Sequence, residues 1–286
     1  MSEISVRKIG VIGAGVMGRG VAQTFAQNGY GVILIDISEE ILAKAKEEIS
    51  NSLRLYTMFH PDKLTVKPEE ALSQIEFTTS YNHLADVTFV IENVSEKWEV
   101  KEQVYATLSR TVRQDCILAV NTSCISITRI GALTKQPERV IGTHFMNPVP
   151  LIQTIEVIRG FYTSDETIEK TKDVLSSIDK DCVIVQDSPG FVSNRISHLL
   201  MNEAAFVVQD QVASAHDVDE IFKRCYGHKM GPLETADLIG LDTVVDSLEV
   251  LYQDFQDPKY RCCPLLKRMV SAGLTGKKSG QGFFIY

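Results

Sequence analysis

The stretch "GAGVMG" sets three glycines at positions 13, 15 and 18, between a short apolar run and a helix-like segment. Gly13 permits a tight turn and Gly15 lets the backbone approach a pyrophosphate. Gly18 allows a helix to pack closely on a strand, and the helix N-terminus offers oriented N–H groups to the anion. Asp36 stands eighteen residues beyond Gly18, at the end of the next apolar run. A carboxylate there accepts hydrogen bonds from a ribose 2′-hydroxyl and repels a 2′-phosphate. Ile37 and Ser38 follow it rather than arginine, so the pattern reads as a site for NAD in preference to NADP.

Hydride exchange with a nicotinamide also needs a group that takes the hydroxyl proton. His144 in "GTHFMNPVP" (142–150), Ser123 in "NTSCIS" (121–126) and Glu156 in "IQTIEVI" (152–158) have suitable chemistry. At strand ends on the carboxyl edge of a parallel sheet, Ser123 can donate to a substrate oxygen and His144 can serve as acid and base. Glu156 can hold the imidazole and favour its protonated form. The local pattern leaves a second reading equally open, in which His144 is a satisfied polar residue closing a buried strand and Glu156 an edge-strand carboxylate.

Those roles require a sheet, and the chain alternates accordingly. "KIGVIG", "GVILID", "VTFVIEN", "CILAVN" and "RVIGTHF" read as buried strands, separated by the helical patterns "AQTFAQNG", "EEILAKAKEEISNSL" and "EVKEQVYATLSR". Strand–helix alternation implies an α/β Rossmann-type domain with a mostly parallel sheet and right-handed crossovers. After "CVIVQ" (182–186) strand runs become scarce, and helical periodicity dominates in "RISHLLMNEAAFVVQDQ", "DVDEIFKRCYG", "TVVDSLEVLYQDF" and "CPLLKRMVSAG". The expected division is an NAD-binding domain over 1–186 and an all-α domain over 187–286, the boundary falling at Asp187–Gly190.

Length and composition agree with two domains: 286 residues, 44% of them hydrophobic and 23% charged. A formal net charge of −8 argues against a general nucleic-acid or anionic-membrane surface. No apolar run approaches the ~20 residues that cross a bilayer, and "MSEISVRKIG" has no apolar signal core, so a cytoplasmic location is expected. The six cysteines form no C-x-x-C pair, which argues against zinc or any other structural metal and against a disulfide scaffold.

Taken together the motifs resemble the L-3-hydroxyacyl-CoA dehydrogenases, including the bacterial 3-hydroxybutyryl-CoA dehydrogenases. The resemblance runs from "KIGVIGAGVMGRGVAQTFAQNGYGVILIDIS" through "VIENVSEKWEVK", "NTSCISIT", "THFMNPVPLIQTIEVI" and "DSPGFVSNRI" to "MGPLETADLIGLDT" and "GKKSGQGFFIY", nearly the whole chain. It implies an NAD-dependent oxidoreductase of fatty acid metabolism that interconverts 3-hydroxyacyl and 3-ketoacyl thioesters. His144 would be the general base and Glu156 its partner, with Ser123 and Asn194 positioning substrate. Glu96, Lys101 and Asn147 would border the nicotinamide end of the cofactor. The helical domain would complete the cleft and form a homodimer.

The chain departs from the family where lysines usually hold the phosphates of CoA. It reads "LYTMFHPDK" instead, with Leu55, Met58, Phe59 and His60 at those places and Gln153 in the strand before the glutamate. Arg54 or Lys63 can take over the phosphate contact. Alternatively the thioester arrives on an acyl carrier protein, as in relatives that make polyketide extender units. A dehydrogenase of the 6-phosphogluconate type, with its catalytic lysine, does not match the His144–Glu156 spacing. A non-catalytic NAD-binding protein would have no reason to keep Ser123, His144, Glu156 and Asn194 together.

Overall fold

The structure, a computed structural model, describes residues 8–59 and 66–286. His60 and Lys63 lie outside the described residues. The chain forms two compact units, Met1–Asp187 and Ser188–Tyr286.

The first unit is built on an eight-stranded sheet. Its strands are β1 (Lys8–Ile12), β2 (Gly31–Ile35), β3 (Ile75–Thr78), β4 (Phe89–Glu92), β5 (Ile117–Val120), β6 (Val140–His144), β7 (Thr154–Arg159) and β8 (Asp181–Gln186). They lie in the order β3-β2-β1-β4-β5-β6-β7-β8. Strands β1 to β6 are mutually parallel, and all but the edge strand β3 are runs buried on both faces, as is usual in parallel sheets. The order reverses between β1 and β4, which opens a crevice at their carboxyl ends, the usual ligand position in such sheets. Strand β7 runs antiparallel to β6, and β8 parallel to β7.

Around the sheet lie α1 (Val16–Gln27), α2 (Glu39–Phe59), α3 (Pro68–Ser73), α4 (Trp98–Thr111), α5 (Ile127–Gly131) and α6 (Asp165–Ser176). Helix α6 starts where the Ser164 hydroxyl accepts the Thr167 N–H, with Asp165 and Glu166 in its first turn facing the positive end of the dipole. Val11, Phe25, Leu34 and Ile91 belong to the fully buried core. Helix α2 continues past Leu53, its last buried residue, to Phe59. Met58 and Phe59 on that extension are each 74% exposed.

The second unit consists of α7 (Ser193–Gln209), α8 (Ala215–Tyr226), α9 (Pro232–Ile239), α10 (Leu241–Phe255) and α11 (Pro264–Ser271). Two buried carboxylates organise it. Asp219 on α8 accepts the Leu233 and Glu234 N–H groups at 2.9 and 2.8 Å, satisfying donors that open α9. Asp237 on α9 accepts the N–H groups of Phe283 and Phe284 at 3.0 and 2.9 Å and the Tyr286 hydroxyl at 3.2 Å, tying the C-terminal segment to the helices. Burial pushes both carboxyls up, against the pull of those donors. Asp187, expected to open the second domain, is held in the first unit. Its carboxylate accepts the Ser126 hydroxyl and the Thr128 N–H, both at 2.8 Å. Among the described residues no helix is long and apolar enough to cross a membrane.

Candidate active site

The cofactor loop follows directly from strand β1. Gly13 has φ +91°, and a Cβ there would stand 2.7 Å from the Asn93 carbonyl oxygen. At Gly18 a Cβ would fall 1.7 Å from the Gly13 carbonyl oxygen, so turn and helix can meet only without side chains. At Gly15 the situation is the reverse: an added Cβ would meet nothing within 4 Å. The loop is thus tight against the protein at its ends and open at its middle, as backbone approach to a pyrophosphate demands. Among the described residues no side chain caps the α1 N-terminus.

Asp36, just past β2, accepts the Ala14 N–H on Oδ2 at 2.6 Å and the Ile37 N–H on Oδ1 at 2.7 Å. The carboxylate therefore touches the glycine loop itself. These residues fit a dinucleotide whose ribose lies beside a carboxylate, the arrangement of an NAD site.

His144 ends β6, and Glu156 is its register partner on the antiparallel strand β7. Residues directly opposite in such a pair project to the same face. Here the imidazole Nδ1 lies 3.0 Å from Glu156 Oε2. The imidazole Nε2 lies 3.2 Å from the Ser123 hydroxyl. A carboxylate at Nδ1 fixes the ring proton there, so Nδ1–H donates to Glu156 and Nε2 accepts from Ser123. Both members of the dyad are at least nine-tenths buried, with side-chain exposures of 6% and 9%. The ion pair that forms on protonation is thus little screened by salt.

Loops at the carboxyl ends of β4 and β5 complete this floor. Asn121, just past β5, donates to Asn93 Oδ1 at 2.7 Å and accepts the Phe145 N–H at 3.2 Å, stapling the ends of β4, β5 and β6. Glu96 accepts three donors on Oε1: the Thr122 hydroxyl, the Ser123 N–H at 2.9 Å and the Cys124 N–H at 3.0 Å. Lys101 is completely buried, and its ammonium lies 2.9 and 2.8 Å from the two Glu92 oxygens and 3.3 Å from the Asn121 carbonyl. Burial pushes the Glu92 carboxyl up, opposed by Lys101 and the Val94 N–H. Lys101 therefore supports this edge from beneath.

Asn147 is exposed three residues beyond His144, and Gln153 is exposed just before β7. Asn194 belongs to the second unit, as the second residue of α7. Reading the sequence missed Glu92, Asn121 and the attachment of Glu96 to the Ser123 loop. The only available signal for Glu92 and Asn121 was a place at the end of a run read as a strand; Glu96, three residues past such a run, carried none.

Residues 8–188 match the NAD-binding domain of 3-hydroxyacyl-CoA dehydrogenase, and residues 190–286 match that enzyme's C-terminal domain. A probable 3-hydroxybutyryl-CoA dehydrogenase of Deinococcus radiodurans is 45% identical over 98% of this chain and 100% of its own. The 3-hydroxybutyryl-CoA dehydrogenase of Clostridioides difficile is 42% identical over 98% and 99%. The crystal structure of (S)-3-hydroxybutyryl-CoA dehydrogenase from Ralstonia eutropha superposes with a TM-score of 0.94 at 40% identity, covering 99% of each chain.

Proposed function

The chain belongs to the 3-hydroxyacyl-CoA dehydrogenase family, and we propose that His144 and Glu156 are its acid/base dyad, acting on (S)-3-hydroxybutyryl-CoA or a short homologue. The protein is an NAD-dependent oxidoreductase of the 3-hydroxybutyryl-CoA dehydrogenase type. The single observation that carries the residue assignment is the line of contacts Glu156–His144–Ser123, with 3.0 Å at Nδ1 and 3.2 Å at Nε2.

With Nδ1–H held by Glu156, Nε2 is the basic lone pair. It takes the proton of the substrate 3-hydroxyl as the C3–H bond breaks. When bound, NAD⁺ supplies the acceptor for the hydride leaving C3. Glu156 stabilises the imidazolium so formed, and in the reverse direction that imidazolium returns the proton to the 3-oxygen. Ser123, within hydrogen-bond reach of the same nitrogen, holds the substrate oxygen in line. Gly13, Gly15, Gly18 and Asp36 hold the dinucleotide. A role for Asn194 in holding the thioester, a homodimer formed by the helical unit and a cytoplasmic location are part of the same proposal. The first two rest on the resemblance, and the third on the want of an apolar span or signal core in the sequence read above.

The named relatives are CoA enzymes, which favours CoA over a carrier-protein thioester. The test is NADH oxidation with acetoacetyl-CoA by wild-type and His144→Ala protein. Loss of the proton carrier should lower kcat by about 10²–10⁴ while NADH binding stays near normal. Near-wild-type turnover in the variant refutes the assignment.

A further inference from the structure

The connection between the dyad strands is poor in backbone donors. Residues 145–153 join β6 to β7 and include Pro148 and Pro150, which have no N–H to give. Within the loop the Leu151 and Ile152 N–H groups both reach the Pro148 carbonyl, at 3.0 and 3.1 Å. The carbonyls of Val149, Pro150 and Ile152 are met from outside it by one side chain: the Lys180 ammonium lies 2.9, 3.3 and 2.7 Å from them. Lys180 is 6% exposed and sits in the turn between α6 and β8, where its own N–H donates to the Leu175 carbonyl at 3.1 Å. Its neighbour Asp181 gives its N–H to the Gln153 carbonyl at 3.0 Å. On its other side the loop packs against the cofactor helix, since a Cβ at Gly20 of α1 would stand 2.9 Å from the Val149 Cβ.

We infer that Lys180 is a positioning residue for the cofactor site: by drawing three carbonyls of the 149–152 turn onto one buried ammonium, it holds the loop against α1 and so fixes Asn147. An ammonium offers three donors, one for each carbonyl, and charge-assisted hydrogen bonds are about twice as strong as neutral ones. Gly20 lies one turn into the helix whose N-terminus faces the pyrophosphate, so the segment packed there lies beside the dinucleotide. Asn147 is exposed two residues before Val149, and resemblance places it at the nicotinamide end. A loop ordered before the cofactor arrives saves the cost of ordering it on binding, which is read as affinity. His144 and Glu156, by contrast, are set by the β6–β7 ladder. Loss of the lysine should therefore loosen the loop and leave the acid/base pair in register.

The inference rests on the expected place of Asn147, and a double-mutant cycle separates the two. NADH affinity is read by fluorescence titration, and turnover of acetoacetyl-CoA across pH, for wild type, Lys180→Met, Asn147→Ala and the double variant. Methionine removes donors and charge at similar length. Lys180→Met should weaken NADH binding by about tenfold, and by less than about twofold when Asn147 is already Ala. The pH dependence of kcat should stay that of wild type, because the dyad keeps its ladder. Lys180→Gln, which keeps N–H donors without the charge, should fall between, and it reads the same quantity if the methionine variant does not fold. Unchanged NADH affinity in both lysine variants, equal losses in both backgrounds, or a shifted pH profile with NADH affinity intact would overturn the inference. Wild-type NADH affinity in Asn147→Ala alone would instead bring down the place of Asn147, and the inference with it.

Discussion

Replacing Glu156 by glutamine removes one charge from the dyad at nearly constant shape. At 3.0 Å and an effective dielectric of ~20, the full Coulomb attraction between imidazolium and carboxylate is about 5.5 kcal/mol, a ceiling equivalent to ~10⁴ in rate. That ceiling is not what the variant loses, because the amide oxygen still accepts the Nδ1–H. The difference between a charged and a neutral hydrogen bond is about 1–2 kcal/mol, so kcat should fall roughly 5- to 30-fold. Glu156→Ala, lacking the acceptor altogether, should lose more and approach His144→Ala. The loss should be the same at 0.05 and 0.5 M salt, since both groups are more than nine-tenths buried and the Debye length (~10 Å at 0.1 M) governs only solvated charges. The assay is the initial rate of NADH formation from (S)-3-hydroxybutyryl-CoA across pH. Wild-type turnover in Glu156→Gln, or a loss that salt removes, would show that the pair is merely structural.

Asp36→Ala should narrow the preference for NADH over NADPH, since it deletes a ribose acceptor and the repulsion of a 2′-phosphate together; a wild-type protein that already prefers NADPH contradicts the reading of Asp36. Met58 and Phe59, each 74% exposed on the end of α2, offer no charge to CoA phosphates. Met58→Lys with Phe59→Lys should therefore lower KM for acetoacetyl-CoA more than for acetoacetyl-pantetheine, by a margin that shrinks with salt; a wild-type enzyme already preferring full CoA by about tenfold or more places the phosphate contact elsewhere. Burial raises the Asp237 carboxyl despite its donors, and a folded-state value above the unfolded ~3.9 gives stability that is present at lower pH and lost as pH rises through the folded value. In thermal melts taken upward from pH ~4, wild type should lose ground relative to the non-titrating Asp237→Asn, and a relative gain with rising pH would reverse the argument.

The parts of the fold legible in the sequence are those where one local rule dominates. Continuous β-branched runs mark strands buried on both faces, and glycine spacing marks the dinucleotide loop. What escaped has weak periodicity. Strand β3, "IEFT", is four residues with one buried, at the sheet edge. Helix α6 buries Thr167 and Thr171 beside Ile168 and Leu175, so half its inner stripe is not apolar in sequence. Helix α2 outlasts its apolar stripe by a turn and a half, carrying Met58 and Phe59 into solvent. In the site, His144, Ser123 and Glu156 could be picked out as chemical types. Their contact could not, because it depends on strand direction, which apolar periodicity does not encode.

Strand direction is the feature on which the dyad turns. A parallel β7 would need a crossover of a dozen or more residues, whereas β6 and β7 are joined by residues 145–153 alone. The short connection forces the antiparallel pairing, and that pairing sets Glu156 opposite His144. The base and its carboxylate are thus positioned by backbone hydrogen bonds on both sides, without reliance on a flexible loop. Because side chains alternate faces along a strand, sliding β7 by one residue would bring Ile155 or Val157 into register with His144 and turn Glu156 to the opposite face. Those two neighbours are 1% and 0% exposed and packed in the core on that opposite face. The slip would bury a charge and strip the imidazole of its partner in one movement, so the same apolar packing that stabilises the sheet also holds the dyad in register.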